Sequence, residues 1–302
     1  MSDDRIEPGW VGYADIDGVL TRFVDSGDTT RPPLVLLHGG DFGDVSSFDT
    51  WSLNLGVLAR HFRVLALDKL GQGFTGPPVS HADFTYDAVV RHTERWLDRL
   101  GVKRAHLLGH SRGGMLAASL ACNGRAESLI IANCATLGPV PADPSLRVDA
   151  FHARLEATMP PGPPTPDSVS IEPRANSCSL AHISTAFVEC QLDLANCPSH
   201  IAVTIAMDAG LRTSTFQPNL TKRIAELRRR IDLQGLPVRS LLIRSRCDPS
   251  ARWNEVGFPL WEQIARTSPE TELHLFNEAG HYSHRECPMA YSRVVSAFAA
   301  VT

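Results

Sequence analysis

The turn Gly109-His110-Ser111-Arg112-Gly113-Gly114 follows an apolar run, Ala105–Leu108, and opens a run of helical period, Met115–Ala121. A chain that passes so quickly from strand to helix must bend sharply. Glycines two positions either side of Ser111 let neighbouring backbone close in where a Cβ would collide. The bend holds its central residue in strained geometry and leaves the serine hydroxyl exposed. Behind it, the first turn of the helix offers unpaired N–H groups and a positive dipole end, which favour developing negative charge. Gly-x-Ser-x-Gly alone also marks ordinary turns. The strand before it and the helix after it select Ser111 as a nucleophile.

Short runs rich in Val, Leu and Ile recur along the chain, separated by segments of helical period, the pattern of a parallel sheet covered on both faces. Predicted strands are Val11–Ile16, Leu20–Asp25, Leu34–Leu37, Val64–Leu67, His106–Gly109, Ser128–Asn133, Ser240–Arg244 and Glu272–Phe276. The clearest helix runs from Thr85 to Leu100 on a stripe that includes Tyr86, Val89, Trp96 and Leu97, with Gly101 as its C-cap. After Asn133 the rhythm breaks until Ser240. That gap opens with a Pro-rich stretch and continues as helical segments around Ser179–Ala195, Ser199–Leu211 and Asn219–Leu233. The expected fold class is α/β, with residues 1–137 and 236–302 as the core and residues 138–235 as a helical cap. In the last cap helix Ile224, Leu227 and Ile231 form the stripe, so Arg228-Arg229-Arg230 reads as a solvated face.

At 302 residues the chain suffices for one large core carrying such an insertion. A balance of 29 basic against 33 acidic residues gives −4, with no single-sign excess to recruit nucleic acid or an anionic membrane. No apolar run approaches the ~20 residues of a membrane helix, and the start Met1-Ser2-Asp3-Asp4 lacks signal-peptide character. A soluble cytoplasmic protein is expected. Seven cysteines without a Cys-x-x-Cys pair read as reduced, mostly buried thiols.

A serine of normal pKa needs a base, and the base needs an orienting acid, placed in this kind of sheet at the ends of later strands. Asp248 follows the strand Ser240–Arg244, and His281 follows Glu272–Phe276 through Ala279-Gly280. The rival readings are Asp248 as a turn cap before Pro249 and His284 as the base. His281, His284 and Cys287 could suggest metal ligands, but no second cluster accompanies them, and neither metal nor cofactor is expected. The oxyanion hole should take one N–H from Arg112 and one from the loop His38-Gly39-Gly40-Asp41, with Gly40 favoured over Asp41. No Gly-Lys-Ser/Thr or Gly-x-Gly-x-x-Gly sequence supports a phosphate cradle in that loop. Asp68-Lys69-Leu70-Gly71-Gln72-Gly73 reads as a turn beside the pocket.

Together, His38-Gly39-Gly40, Asp68-x-x-Gly71-x-Gly73, Gly109-His110-Ser111-Arg112-Gly113-Gly114, Asp248 and Gly280-His281-x-x-x-x-Glu286-x-Pro288 resemble the α/β-hydrolase superfamily. The resemblance implies an eight-stranded sheet with a helical cap inserted after strand 6, the triad Ser111, His281 and Asp248, and no cofactor. Within the superfamily, the loop after His38, Trp51–Gly56 and His61–Asp68 are most similar to the meta-cleavage-product hydrolases, which split a C–C bond in 2-hydroxy-6-oxo-dienoates. Those enzymes usually carry Asn before the nucleophile, where this chain has His110. They carry a second Asn in the oxyanion loop, where Asp49 or Thr50 aligns. Gln191 stands for their cap Arg, which grips the substrate carboxylate, and Tyr282 for the Trp after the catalytic His.

These departures set the expected substrate: an ester, thioester or lactone of a medium-sized apolar acid. His110, Gln191, Trp253 and Tyr282 are its candidate contacts. His110 either supports the pocket or hydrogen-bonds substrate, and Trp253 is either a cap contact or a pocket wall. The rivals are C–C hydrolysis of a dienoate, with its carboxylate grip then sought at Arg174, Arg212 or Arg252, a biosynthetic acyltransferase or cyclase, and a binding module on an inactive scaffold. The expected partner is a small apolar molecule, with no nucleic acid or membrane, and a homo-oligomer is compatible with the sequence.

Overall fold

The strands that flank Ser111 are apolar on both faces because helices cover both faces. In this computed structural model, which describes residue 4 and residues 6–300, β3 (Pro33–Leu37), β4 (Arg63–Leu67), β5 (Ala105–His110), β6 (Ala126–Ala132) and β7 (Ser240–Ser245) are almost wholly buried. The outer strands β1 (Val11–Ile16) and β8 (Glu272–Phe276) expose alternate or scattered side chains, as edges do. With β2 (Val19–Asp25), they form one sheet in the order β1-β2-β4-β3-β5-β6-β7-β8. β2 is antiparallel to both of its neighbours, and the remaining pairs are parallel. All eight predicted strands are present, Val11–Ile16 and Glu272–Phe276 with the predicted bounds and the other six shifted by a residue or two at one or both ends.

One face is covered by α1 (Ser52–Leu58) and, at the C-terminus, by Pro288–Ala299, whose Tyr291, Val295 and Phe298 join Leu55 and Leu58 over Leu34 and Leu36. The other is covered by α2 (Tyr86–Arg99) and α3 (Arg112–Cys122), with Trp96, Leu97, Met115 and Leu116 over Val35, Leu37 and Leu107. Thr85 caps α2 by accepting from the N–H of Ala88, and Gly101, at φ +71, follows its end.

Five helices are inserted between β6 and β7. They are α4 (Val148–Glu156), α5 (Pro166–Ala175), α6 (Thr185–Ala195), α7 (Pro198–Ala206) and α8 (Gln217–Gln234), with a wider π-type segment, Met207–Phe216, between the last two. Two of these were not predicted. Of the prolines that obscure α5 in the sequence, Pro166 takes the first turn, where no N–H is needed, and Pro173 lies inside the helix; Thr165 and Ser168 form a capping box. The predicted start at Ser179 is corrected to Thr185, because Ser184 caps α6. Gly210, at φ +114, breaks the predicted helix Ser199–Leu211.

Arg228 departs from a solvated face, since Nε and Nη2 donate to the Thr136 carbonyl. All seven cysteines are free. Only Cys134 is buried, correcting the expectation of mostly buried thiols, and Cys178 and Cys247 are exposed because they lie on loops. Among the described residues, no helix is long and apolar enough to cross a membrane. After β8 the chain forms the short helix α10 (Ser283–Glu286) and then α11 (Pro288–Ala299), with α9 (Phe258–Thr267) preceding β8.

Candidate active site

The sheet order reverses at β3, whose two neighbours are β4 and β5, so the loops after β3 and β5 open a crevice at their carboxyl ends. Leu37 pairs with Gly109, which sets the loop His38–Asp41 beside Ser111. Ser111 stands between β5 and α3 at φ +53, ψ −125, a conformation that costs a non-glycine residue of order 1–3 kcal/mol. The surroundings enforce it: the Ser111 N–H donates to the Ala132 carbonyl (2.8 Å) and the Ser111 carbonyl accepts from Gly114 (2.9 Å). A Cβ on Gly109 would lie 2.0 Å from the Gly113 carbonyl oxygen, and one on Gly113 would lie 2.2 Å from the carbonyl oxygen of Leu37. Both glycines are therefore required by close approach.

Asp248 and His281 come together at the ends of β7 and β8. His281 Nδ1 donates to Asp248 Oδ2 (2.8 Å), and the Asn133 amide donates to the same oxygen (2.9 Å). The other oxygen, Oδ1, accepts from the N–H groups of Ser250 (2.9 Å) and Ala251 (2.8 Å) and from Ser250 Oγ (2.9 Å). Burial works to raise the Asp248 pKa, but the His281 charge and these donors outweigh it and hold the carboxyl well below the usual range. Burial likewise opposes charge on His281, yet Asp248 outweighs it and raises the imidazole pKa above its ordinary 6.5.

The loop that carries His281 is tied to the insertion. The His281 N–H donates to the Asn176 carbonyl (2.7 Å). Glu286 accepts from Gly280 N–H (2.8 Å) with one oxygen and from the N–H groups of Cys178 (2.9 Å) and Ser179 (2.8 Å) with the other.

In the loop after β3, Gly40 has φ +73 and its carbonyl accepts from Lys69 Nζ (2.7 Å), whose pKa burial brings down to about 8. Asp41 donates its N–H to Asp44 Oδ2 (2.6 Å) and pairs its carboxylate with Arg112 Nε (2.9 Å). The N–H groups of Gly40 and Arg112 have no hydrogen-bond partner among the described residues, the latter because it lies in the first helical turn. One unspent donor thus belongs to the residue after Ser111, and the other to the residue after Gly39, on which a Cβ would lie 3.0 Å from that of Ser111.

The remaining candidates are placed unevenly. His110 is buried. Its Nε2 donates to the His281 carbonyl (2.8 Å), and burial, then the His281 charge, brings its pKa down to about 3. Tyr282 donates its hydroxyl to Glu172 of α5 (2.6 Å), and its ring lies 5.7 Å from that of His110. Gln191 is buried on α6, and its amide makes no hydrogen bond among the described residues. Trp253 packs its ring against Phe258, in a row continued by Trp261, and nothing links it to Ser111 or His281 among the described residues. The rival base His284 is spent on Thr50 Oγ1 (2.8 Å) and lies 4.4 Å from the Trp51 ring. Asp49 pairs with Arg22 (2.7 Å), so the two residues aligned with the second Asn are both committed elsewhere. Arg174 is exposed on α5, and Arg212 Nη2 would lie 3.3 Å from a Cβ on Gly43.

Sequence reasoning missed Ser250 and Glu172 and gave no role to Asn133, read only as a strand end, or to Glu286, read only as part of a motif. Asn133 carried a usable signal: an Asn at a strand end tolerates the left-handed conformation that it adopts here, φ +46. Glu172 and Glu286 act across the boundary with the insertion, which no local pattern reveals.

A profile described as the alpha/beta hydrolase family matches residues 34–294. The chain is 34% identical over 126 residues to the dihydrolipoyllysine-residue acetyltransferase component of the acetoin cleaving system of Cupriavidus necator, covering 42% of this chain and 32% of that protein. It is 38% identical over 104 residues to the 2-hydroxymuconate semialdehyde hydrolase of Pseudomonas sp., covering 34% of this chain and 35% of the relative. These matches span about a third of the curated relatives' length. Among solved structures, a meta-cleavage product hydrolase from Pseudomonas fluorescens is similar in fold over 95% of this chain and 97% of its own, with a TM-score of 0.73 and 21% identity.

Proposed function

The chain belongs to the alpha/beta hydrolase family, and from that premise we propose that it is a serine hydrolase acting on an ester, thioester or lactone of a medium-sized apolar acid. Ser111 Oγ attacks the carbonyl carbon while His281 Nε2 takes its proton. Asp248 holds the imidazole with Nδ1 protonated and stabilises the imidazolium. The N–H groups of Gly40 and Arg112 receive the oxyanion, and because the Asp41 N–H is already bonded to Asp44, Gly40 is the donor we assign. His281 then protonates the leaving group and activates the water that releases the acid. The inserted helices serve as the cap over this site.

The observation that carries this reading is the strained Ser111 at the crevice, with an Asp248–His281 pair at the adjoining strand ends. The choice of substrate rests on Glu172. α5 brings a carboxylate onto Tyr282, close enough to favour charge on His281, whereas a dienoate substrate would need a cation there. A second reading, C–C hydrolysis of such a dienoate, is favoured by the nearby Arg212 and by the named activity of the Pseudomonas relative.

The test compares kcat/KM on an aryl or short-chain ester and on a 2-hydroxy-6-oxo-dienoate, with products identified by mass spectrometry. We expect the ester to be preferred, and Gln191→Arg to raise activity on the dienoate more than on the ester. A preference for the dienoate in the unaltered protein establishes the second reading instead, with Arg212→Ala then removing it.

A further inference from the structure

Four residues before Asp248, at the end of β7, Arg244 is 1% exposed. Nη1 donates to the Cys134 carbonyl (3.0 Å) and Nη2 to the Ala251 carbonyl (2.7 Å), while Nε is buried without a partner. Among the described residues, no carboxylate comes within ion-pair distance of it. A guanidinium buried on carbonyl oxygens alone is costly, so its retention calls for a compensating interaction. The chain packs closely on this side chain: a Cβ on Gly257 would lie 2.8 Å from Nε.

Both carbonyls that Arg244 holds belong to segments that serve the acid. Ala251 donates its own N–H to Asp248 Oδ1. Cys134 directly follows Asn133, whose amide donates to Oδ2 beside His281 Nδ1. Burial discourages the Arg244 charge, and the charge of Asp248 sustains it.

We propose, on the triad reading above, that Arg244 is a positioning residue for the acid: it clamps the two segments that feed hydrogen bonds to Asp248, and its positive charge shares that carboxylate with His281. The charged groups acting on His281 are Asp248 from the turn after β7, Glu172 from α5 and Arg244 from β7. His110 from β5 also abuts it and is neutral at working pH. Asp248 and Glu172 favour the imidazolium, and Arg244 opposes it. Removing the Arg244 charge therefore makes His281 harder to deprotonate, and the base becomes available only at higher pH.

The experiment is the pH profile of kcat/KM on an aryl ester for the full chain and three variants. Arg244→Met moves the acid limb upward by about half a unit to one unit and lowers the plateau about 3- to 10-fold. Arg244→Lys keeps the charge, so its limb returns to that of the unaltered protein. Its plateau stays low, because one ammonium does not reproduce the two-armed grip. Should Arg244→Met fail to fold, Arg244→Gln carries the same expectation. A folded neutral variant with an unmoved limb overturns the proposal, because a merely structural arginine changes the plateau alone. Failure of the unaltered protein to be labelled at Ser111 by a fluorophosphonate marks failure of the triad reading. Labelling with an unmoved limb defeats only the role of Arg244.

Discussion

The loop that carries His281 is held from two sides built in different ways. On the core side, Asp248 collects five hydrogen bonds from Asn133, Ser250, Ala251 and His281, all set by the ends of adjoining strands. On the side of the inserted helices, Tyr282 bonds the Glu172 side chain, and the rest of the holding falls on backbone N–H and carbonyl groups. Asn176 accepts from His281, and Glu286 gathers the N–H groups of Gly280, Cys178 and Ser179. The first arrangement fixes which atom of the imidazole carries the proton; the second ties the His281 loop to the inserted segment. Chemistry and placement are thus assigned to different parts of the molecule, and each can be broken separately.

Removing the proposed nucleophile should break the chemistry most severely. Ser111→Ala should lower turnover by about 10⁴-fold or more with the thermal midpoint of unfolding unchanged or raised, since the strained backbone is unaltered. Steady-state kinetics alongside a thermal melt check this, and residual turnover above a hundredth would point to another nucleophile. Asp248→Asn comes next, with a loss of about 10³–10⁴-fold, because an amide permits the wrong imidazole tautomer and offers no charge to the imidazolium. A loss under tenfold in folded protein would mean that another carboxylate orients His281.

On the other side, Glu286→Gln should act on placement. It weakens charge-assisted bonds to three N–H groups and should cost about 1–3 kcal/mol of stability, with activity reduced several-fold and the position of the pH limb nearly unchanged. Denaturant unfolding and the pH profile read the two effects together. A shift of the limb as large as that from a change at Arg244 would erase the distinction between the two sides.

The same division decided what the sequence disclosed. The strands, the turn at Ser111 and the order of Asp248 and His281 are written in local signals: apolar runs, glycines at close approaches, and turn residues at strand ends. Asn133 was named only as the end of a predicted strand, because a single amide gives no hint of the acid it will serve. Glu172 and Glu286 were invisible as partners of Tyr282 and Gly280, because those contacts join segments over a hundred residues apart or bend back over a short helix. α5 escaped notice because its prolines argue against a helix in the sequence, although Pro166 falls in the first turn, where no N–H is needed; α4 is a short segment beside the Pro-rich stretch. Gln191 is a candidate by alignment to a cap arginine and Trp253 by its place five residues after Asp248, and neither signal reports which side chains the packed chain brings together.

The most direct test of the central claim is the rate at which a fluorophosphonate labels the protein as pH is varied. His281 is a base only when neutral, and its pKa is raised by Asp248 against the opposing effect of burial. Labelling should therefore occur once, at Ser111, and rise with pH through a limb above the ordinary imidazole value of about 6.5. Asp248→Asn should lower both the limb and the rate. Labelling at a different serine, or a rate that stays flat across that range, would contradict the assignment of Ser111, His281 and Asp248 as one catalytic unit.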